Sequence, residues 1–191
     1  MPELEKEFDE IINECSSLFE NKLRDYGATW LFYRNVSLLD QLWIKVKRIS
    51  VLEENHDNTL VGEGRRDEYI GIINYAVVML FRILCPGSFP TYEDVLAKPE
   101  LADSISVDTI MSCYKKIISE IKGLMIKKNH DYGDAWRSMD QKSITDMIII
   151  KLSRIRKILK NDGKLLVSEN IDAQLFDTVN YAVFGLIKLE D

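Results

Sequence analysis

Apolar side chains near the start of the chain fall at Leu4, Phe8, Ile11, Ile12, Cys15, Leu18 and Phe19. Steps of three and four place them along one side of an α-helix, predicted over residues 3–24. A second stripe, Leu38, Leu39, Leu42, Val46 and Ile49, predicts a helix from Ser37. A third helix is predicted from near Glu63 through Asn74-Tyr75-Ala76-Val77 to residue 84. The first helix should stop at Asp25-Tyr26-Gly27, where glycine allows a turn with positive φ. Ser37 and Asp40 read as a capping box for the second helix, with Asp in place of the usual Glu.

The same pattern then returns, shifted by 106 residues and without a gap. Asp25-Tyr26-Gly27 and Trp30 fall on Asp131-Tyr132-Gly133 and Trp136. Ser37, Asp40, Lys45 and Arg48 fall on Ser143, Asp146, Lys151 and Arg154, and Asn74-Tyr75-Ala76-Val77 on Asn180-Tyr181-Ala182-Val183. About a third of the aligned positions are identical, which marks an internal duplication. The second copy's helices are predicted at 108–129, with Asp108 as N-cap, from Ser143, and from near Glu169 to 190. The segment 85–106 holds three of the four prolines and a short helical stretch, Thr91–Ala97, and is apolar enough to pack on the surface.

The organisation is therefore 1–85 as repeat 1, 86–107 as connector and 108–191 as repeat 2. Three helices in roughly 75 residues make a marginal core. Two copies solve this by burying their apolar faces together, giving an all-α bundle with pseudo-two-fold symmetry. Pairing with a second chain as a homodimer stays open.

Composition agrees with helices: 46% of residues are apolar, and glycine (9) and proline (4) are scarce. Three cysteines are widely spaced and odd in number, without the clustered His and Cys of a zinc site, and read as reduced thiols. With an acidic N-terminus unlike a signal peptide and no apolar run of membrane-spanning length, they predict a cytoplasmic protein with no membrane partner. The net charge of −6 argues against binding extended duplex nucleic acid. Residues 115–191 nevertheless carry 14 basic and 11 acidic side chains, enough for a small phosphate ligand.

The candidate chemistry gathers on the third helix of the second copy. Glu169, Asp172, Asp177 and Asn180 share a sector with Ala173, Phe176, Val183 and Ile187. Carboxylates among core-facing residues need cations nearby. Mg²⁺ would serve, and so would Lys151 and Arg154; a structural network tying helices together is the alternative. Copy one has Gly71 for Asp177 and Arg66 for Asp172, which concentrates function in copy two. Tyr132 or Trp136 offers a stacking plane for a base, with Lys127, Lys128 and His130 near phosphates; alternatively Asp131 caps a turn and the two rings plug the bundle end. Asp40 and Asp146 read as caps, and no Gly-rich phosphate loop or nucleophile motif is present.

The doubled Lys-x₂-Asp-Tyr-Gly-x₂-Trp, with Ser-x₂-Asp, Lys-x₂-Arg-Ile and an acidic stretch ending in Asn-Tyr-Ala-Val, resembles the nucleotide modification associated domain 1 family. That resemblance implies a helical domain of bacteria and phages, linked to nucleotide or modified-base metabolism. The chain is more loosely similar to the all-α, MazG-like nucleoside triphosphate pyrophosphohydrolases. Their acidic pattern is matched in part by Glu169-x-x-Asp172 and Asp177, while the first helix offers only Glu120. One expected function is thus a Mg²⁺-dependent nucleoside phosphate hydrolase. Asp177 and Glu169 would be catalytic; Glu169, Asp172 and Asp177 would hold the metal; Lys128, Tyr132, Trp136, Lys151, Arg154 and Asn180 would bind substrate. The others are a nucleotide- or partner-binding module without catalysis, and a purely structural protein.

Overall fold

The computed structural model describes residues 2–60, 62–161 and 170–190, and every regular element among them is helical. Copy one supplies α1 (Pro2–Tyr26), α2 (Asn35–Glu54) and α3 (Arg65–Leu84). The connector forms α4 (Tyr92–Ala97) and α5 (Glu100–Asp103). Copy two supplies α6 (Val107–Tyr132), α7 (Gln141–Lys160) and α8 (Ile171–Glu190). A short 3₁₀ turn follows the first helix of each copy, Thr29–Phe32 and Ala135–Ser138.

Local chemistry moves several predicted boundaries. Ser106, not Asp108, caps α6: its backbone is extended, and its Oγ accepts from the Thr109 amide at 3.2 Å. Asp108 already lies in the first helical turn. The Ser-x-x-Asp capping boxes are also corrected. The 3₁₀ turns end at Phe32 and Ser138, so the second helices begin at Asn35 and Gln141, ahead of the serines. Asp140 caps α7 through the Lys142 amide at 2.8 Å, and no side chain among the described residues caps α2. Asp40 is left to pair with Arg156 across the copies at 3.4 Å, and Asp146 is exposed. Both first helices do end at glycine, with φ of +70° at Gly27 and +62° at Gly133.

Within each copy the second and third helices form an antiparallel hairpin. Between copies α1 meets α6, α2 meets α7 and α3 meets α8. Each helix thus packs on its own counterpart, as a two-fold axis requires. One contiguous core results, including Phe8, Phe19, Leu42, Ile73, Tyr114, Ile148 and Val183. Polar ties cross it as well. Gln141 donates to the buried Tyr69 hydroxyl at 3.1 Å, Tyr69 and Thr145 are 3.0 Å apart, and Thr145 donates to Glu53 at 2.8 Å. At the rim Lys122 pairs with Asp9 at 2.7 Å, and Arg66 reaches both Glu14 and Glu190. The connector packs as expected, burying Val95 and Ala102 and stacking Phe89 on Phe81.

The cysteines depart from expectation. Cys85, at the end of α3, is joined by a disulfide to Cys113 on α6, so two of the three thiols are not reduced. The packing of α6 on α3 brings the two Cα atoms to 6.6 Å, a proximity that a sequence separation of 28 could not reveal. Cys15 stays free but buried, which pushes its thiol pKa up to about 12. Alkylation of the denatured, unreduced protein should therefore label Cys15 alone, and reduction should expose all three. Cys85→Ser should cost about 3–4 kcal/mol of stability for a loop of this length, measured by denaturant unfolding. Labelling of three thiols without reductant would refute the pairing.

Candidate functional site

Two cavities open at equivalent places in the two copies. The copy-one cavity, about 600 Å³, is lined by Lys22, Tyr26, Trp30, Asn74 and Tyr75 together with Lys45, Glu63, Asp67, Glu68 and Gly71. The copy-two cavity, about 430 Å³, is lined by Lys128, Tyr132, Trp136, Asn180 and Tyr181 together with Met125, Asn129, Met139, Asp177 and Phe184. The first five residues of each set are the same five repeat positions. The α1 or α6 helix end supplies the Lys and Tyr, the 3₁₀ turn the Trp, and the third helix the Asn-Tyr pair.

The lysine of the second helix needs a counter-charge in each copy, and each copy supplies it differently. In copy two, Lys151 is buried and donates to Asp177 Oδ2 at 2.7 Å, while Lys128 donates to the other oxygen. In copy one, Gln174's counterpart is Glu68, which accepts from Lys45 at 3.2 Å and from Arg48 at 2.5 Å. Gly71 stands at Asp177's position, and a Cβ there would lie 2.7 Å from Lys45 Cδ. The carboxylate has moved one helical turn, and the glycine makes room for the lysine stem that then crosses the helix.

The hydrogen-bonding state of the two cavities differs more than their size. In copy one the Trp30 indole N–H donates to the Gly27 carbonyl at 3.0 Å. Asn74 donates to the Cys15 carbonyl at 3.1 Å and accepts from the Tyr114 hydroxyl at 2.8 Å. In copy two, Trp136 Nε1, Asn180 Oδ1 and Asn129 Oδ1 have no hydrogen-bond partner among the described residues. All three side chains line the cavity, and they are 7, 5 and 7% exposed, respectively. A buried polar group left unpaired costs roughly 1–3 kcal/mol, so their convergence on one cavity is not an ordinary core arrangement. Asn129 donates to Asp134 at 3.1 Å, which fixes its oxygen as the acceptor that is left over.

A match to known sequences now bears on this cavity. The sequence profile of nucleotide modification associated domain 1 matches residues 22–83 and again 128–189. The chain belongs to that family. No curated protein and no solved structure matches it. The two matched segments each span the Lys-to-Tyr helix end, the 3₁₀ turn and nearly all of the two following helices, so each contains most of one cavity wall; Leu18 and Phe19 in copy one and Met125 in copy two lie just ahead of them.

Of the residues expected to form the site, Lys128, Tyr132, Trp136, Asp177 and Asn180 meet at the copy-two cavity, and Lys151 joins them through Asp177. Trp136 is buried with its ring stacked on Phe184, centroids 4.2 Å apart, and with the Arg137 guanidinium 4.5 Å from its centre. Its ring is taken up by these neighbours and is not an open stacking plane. Tyr132 and its counterpart Tyr26 are 77 and 75% exposed, so they stand at the cavity mouths and do not plug the bundle. Asp172 and the exposed Arg154 lie off the cavity, and Glu169 lies outside the described residues. Among the described residues, Asp177 is the one expected Mg²⁺ ligand at this cavity. Both Asp177 oxygens face lysine ammonium groups, and among the described residues no three acidic, His or Cys side chains gather as metal ligands. His130 is exposed and pairs with Asp131.

Asn129, Met125, Met139, Tyr181 and Phe184 went unrecognised in the sequence. Asn129 carried a usable signal: it falls four residues after Met125 on the apolar stripe of α6, where copy one has the buried Leu23. A test separates the two ion pairs. Asp177→Ala strands the buried Lys151 and should cost about 3–5 kcal/mol in denaturant unfolding. Lys128→Ala, removing a half-exposed partner, should cost about 1 kcal/mol or less. Equal losses would mean that Lys151 is not held by Asp177.

Proposed function

We propose that the second copy's cavity binds a nucleoside or nucleotide. A volume of about 430 Å³ lies within the range of small-ligand sites. Its walls are apolar and aromatic, with Met125, Met139, Tyr181 and Phe184 around the polar edge. A nucleobase has a flat apolar body and a rim of N–H donors and carbonyl or ring-nitrogen acceptors. The observation that carries the reading is the trio of buried, unpartnered atoms: one donor, Trp136 Nε1, and two acceptors, Asn129 Oδ1 and Asn180 Oδ1. Such a rim would satisfy all three at once. Lys128 at the cavity wall would face the sugar-phosphate side, exchanging part of its pairing with Asp177 for a phosphate oxygen.

Binding is favoured over Mg²⁺-dependent hydrolysis because Asp177 is engaged by two lysines rather than set out for a cation. Membership of a family described by its association with nucleotide modification supports the ligand class. Calorimetric titration with the four 2′-deoxynucleoside 5′-monophosphates and 5′-triphosphates tests the reading. Trp136→Phe keeps a ring against Phe184 and removes only the N–H, so it should weaken the bound nucleotide about tenfold with little change in melting temperature. No binding of any nucleotide would overturn the proposal, and Asp177-dependent pyrophosphate release would restore the hydrolase reading.

A further inference from the structure

The copy-one cavity is the larger of the two, yet the Trp and Asn it shares with copy two are hydrogen-bonded within the protein at the indole N–H and at both ends of the amide. Size therefore does not decide which cavity has a use for a ligand. One of the satisfying groups comes from the opposite copy: Tyr114 of α6 reaches across the interface and donates to Asn74 Oδ1 at 2.8 Å. Burial raises the Tyr114 pKa well above its ordinary value, so the hydroxyl stays protonated and able to donate. The repeat offset places Phe8 of α1 where Tyr114 stands. As α6 packs on α3, so α1 packs on α8, the helix that carries Asn180. Phe8 is fully buried and has no hydroxyl to give. Asn180 Oδ1 is one of the atoms without a partner among the described residues.

We infer that this cross-copy position divides the labour of the duplicated domain: Tyr114 silences the first cavity by satisfying Asn74, and Phe8 keeps the second receptive by leaving Asn180 unsatisfied. The chain then takes one nucleobase-bearing ligand, not two. Residue 8 is a positioning residue, controlling the site through Asn180 without entering the cavity wall. Two further exchanges work in the same direction. Leu23 fills copy one where Asn129 offers an oxygen in copy two, and the Trp30 indole is turned to its own Gly27 carbonyl. The inference rests on the nucleotide-binding reading only for the identity of the ligand. The contact logic is testable without one.

The test uses Phe8→Tyr and Tyr114→Phe in the full chain. Without ligand, the Asn180 side-chain amide resonances should shift in Phe8→Tyr, and those of Asn74 in Tyr114→Phe. Tyr114→Phe should also lower the melting temperature by several degrees, because it leaves Asn74 Oδ1 unpaired. Exchange of the Trp136 indole proton should be faster than that of Trp30 in the unmodified protein. The four 2′-deoxynucleoside 5′-monophosphates are then titrated. Wild type should bind one equivalent, Phe8→Tyr should bind at least tenfold more weakly, and Tyr114→Phe should gain a second, weaker equivalent. Unchanged Asn180 resonances in a folded Phe8→Tyr protein would overturn the inference, as would two equivalents bound by wild type. If Phe8→Tyr does not fold, Tyr114→Phe decides: unchanged Asn74 resonances or an unchanged melting temperature overturns it. If no nucleotide binds wild type, the functional reading falls while the amide shifts still decide the cross-copy contact.

Discussion

The constraint on which this structure depends is the burial of one three-helix face against its own copy. A unit of this size is a marginal core by itself, and its first helix, with Phe8, Ile11, Ile12 and Cys15 buried, packs on α6 and α8 of the other copy as well as on its own α3. Once α1 lies on α6 and α3 on α8, residues from each copy enter the surroundings of the other's third helix. The Tyr114–Asn74 bond, the Cys85–Cys113 bridge and the Tyr69–Thr145 contact all follow from that one packing decision.

Duplication also frees the two copies to differ. The lysine of the second helix, buried in copy two and half-buried in copy one, must keep a counter-charge, because an unpaired ammonium out of water is costly. Copy one meets the need with Glu68 and copy two with Asp177, one turn apart on the third helix. With Gly71 absorbing the lysine stem in copy one, the change is compensated and both folds survive. The polar edge of the cavity carries no such compensation: among the described residues, Trp136, Asn180 and Asn129 of copy two each hold a buried atom without a partner, where Trp30 and Asn74 of copy one are bonded. Structural residues are retained as balanced sets, whereas the imbalance marks the candidate binding surface.

The sequence made much of this legible. Helix existence, the 106-residue repeat, the glycine stops at Gly27 and Gly133 and the surface-packed connector all follow from periodicity and backbone chemistry acting over a few residues. Caps were read less well, because a Ser-x-x-Asp pattern cannot show that a 3₁₀ turn ends early and starts the helix ahead of it. The pairing of Lys151 with a helix-three carboxylate was foreseen as an alternative to metal binding, since helical spacing alone puts Asp177 among core positions. Asn129 was passed over because no copy-one counterpart repeated it.

By itself the sequence determined the all-helical class, the duplication and the family to which the chain belongs, because each is written in local spacing and in residues that recur. Only the tertiary structure decided which of the side chains shared by the two copies are satisfied and which are left wanting. Trp30 and Trp136 are the same letter at the same repeat position, as are Asn74 and Asn180. Their difference lies in whether a partner arrives within about 3 Å: Trp30 turns to the nearby Gly27 carbonyl, and Asn74 meets the Tyr114 hydroxyl, which reaches it only after the two copies have closed on each other.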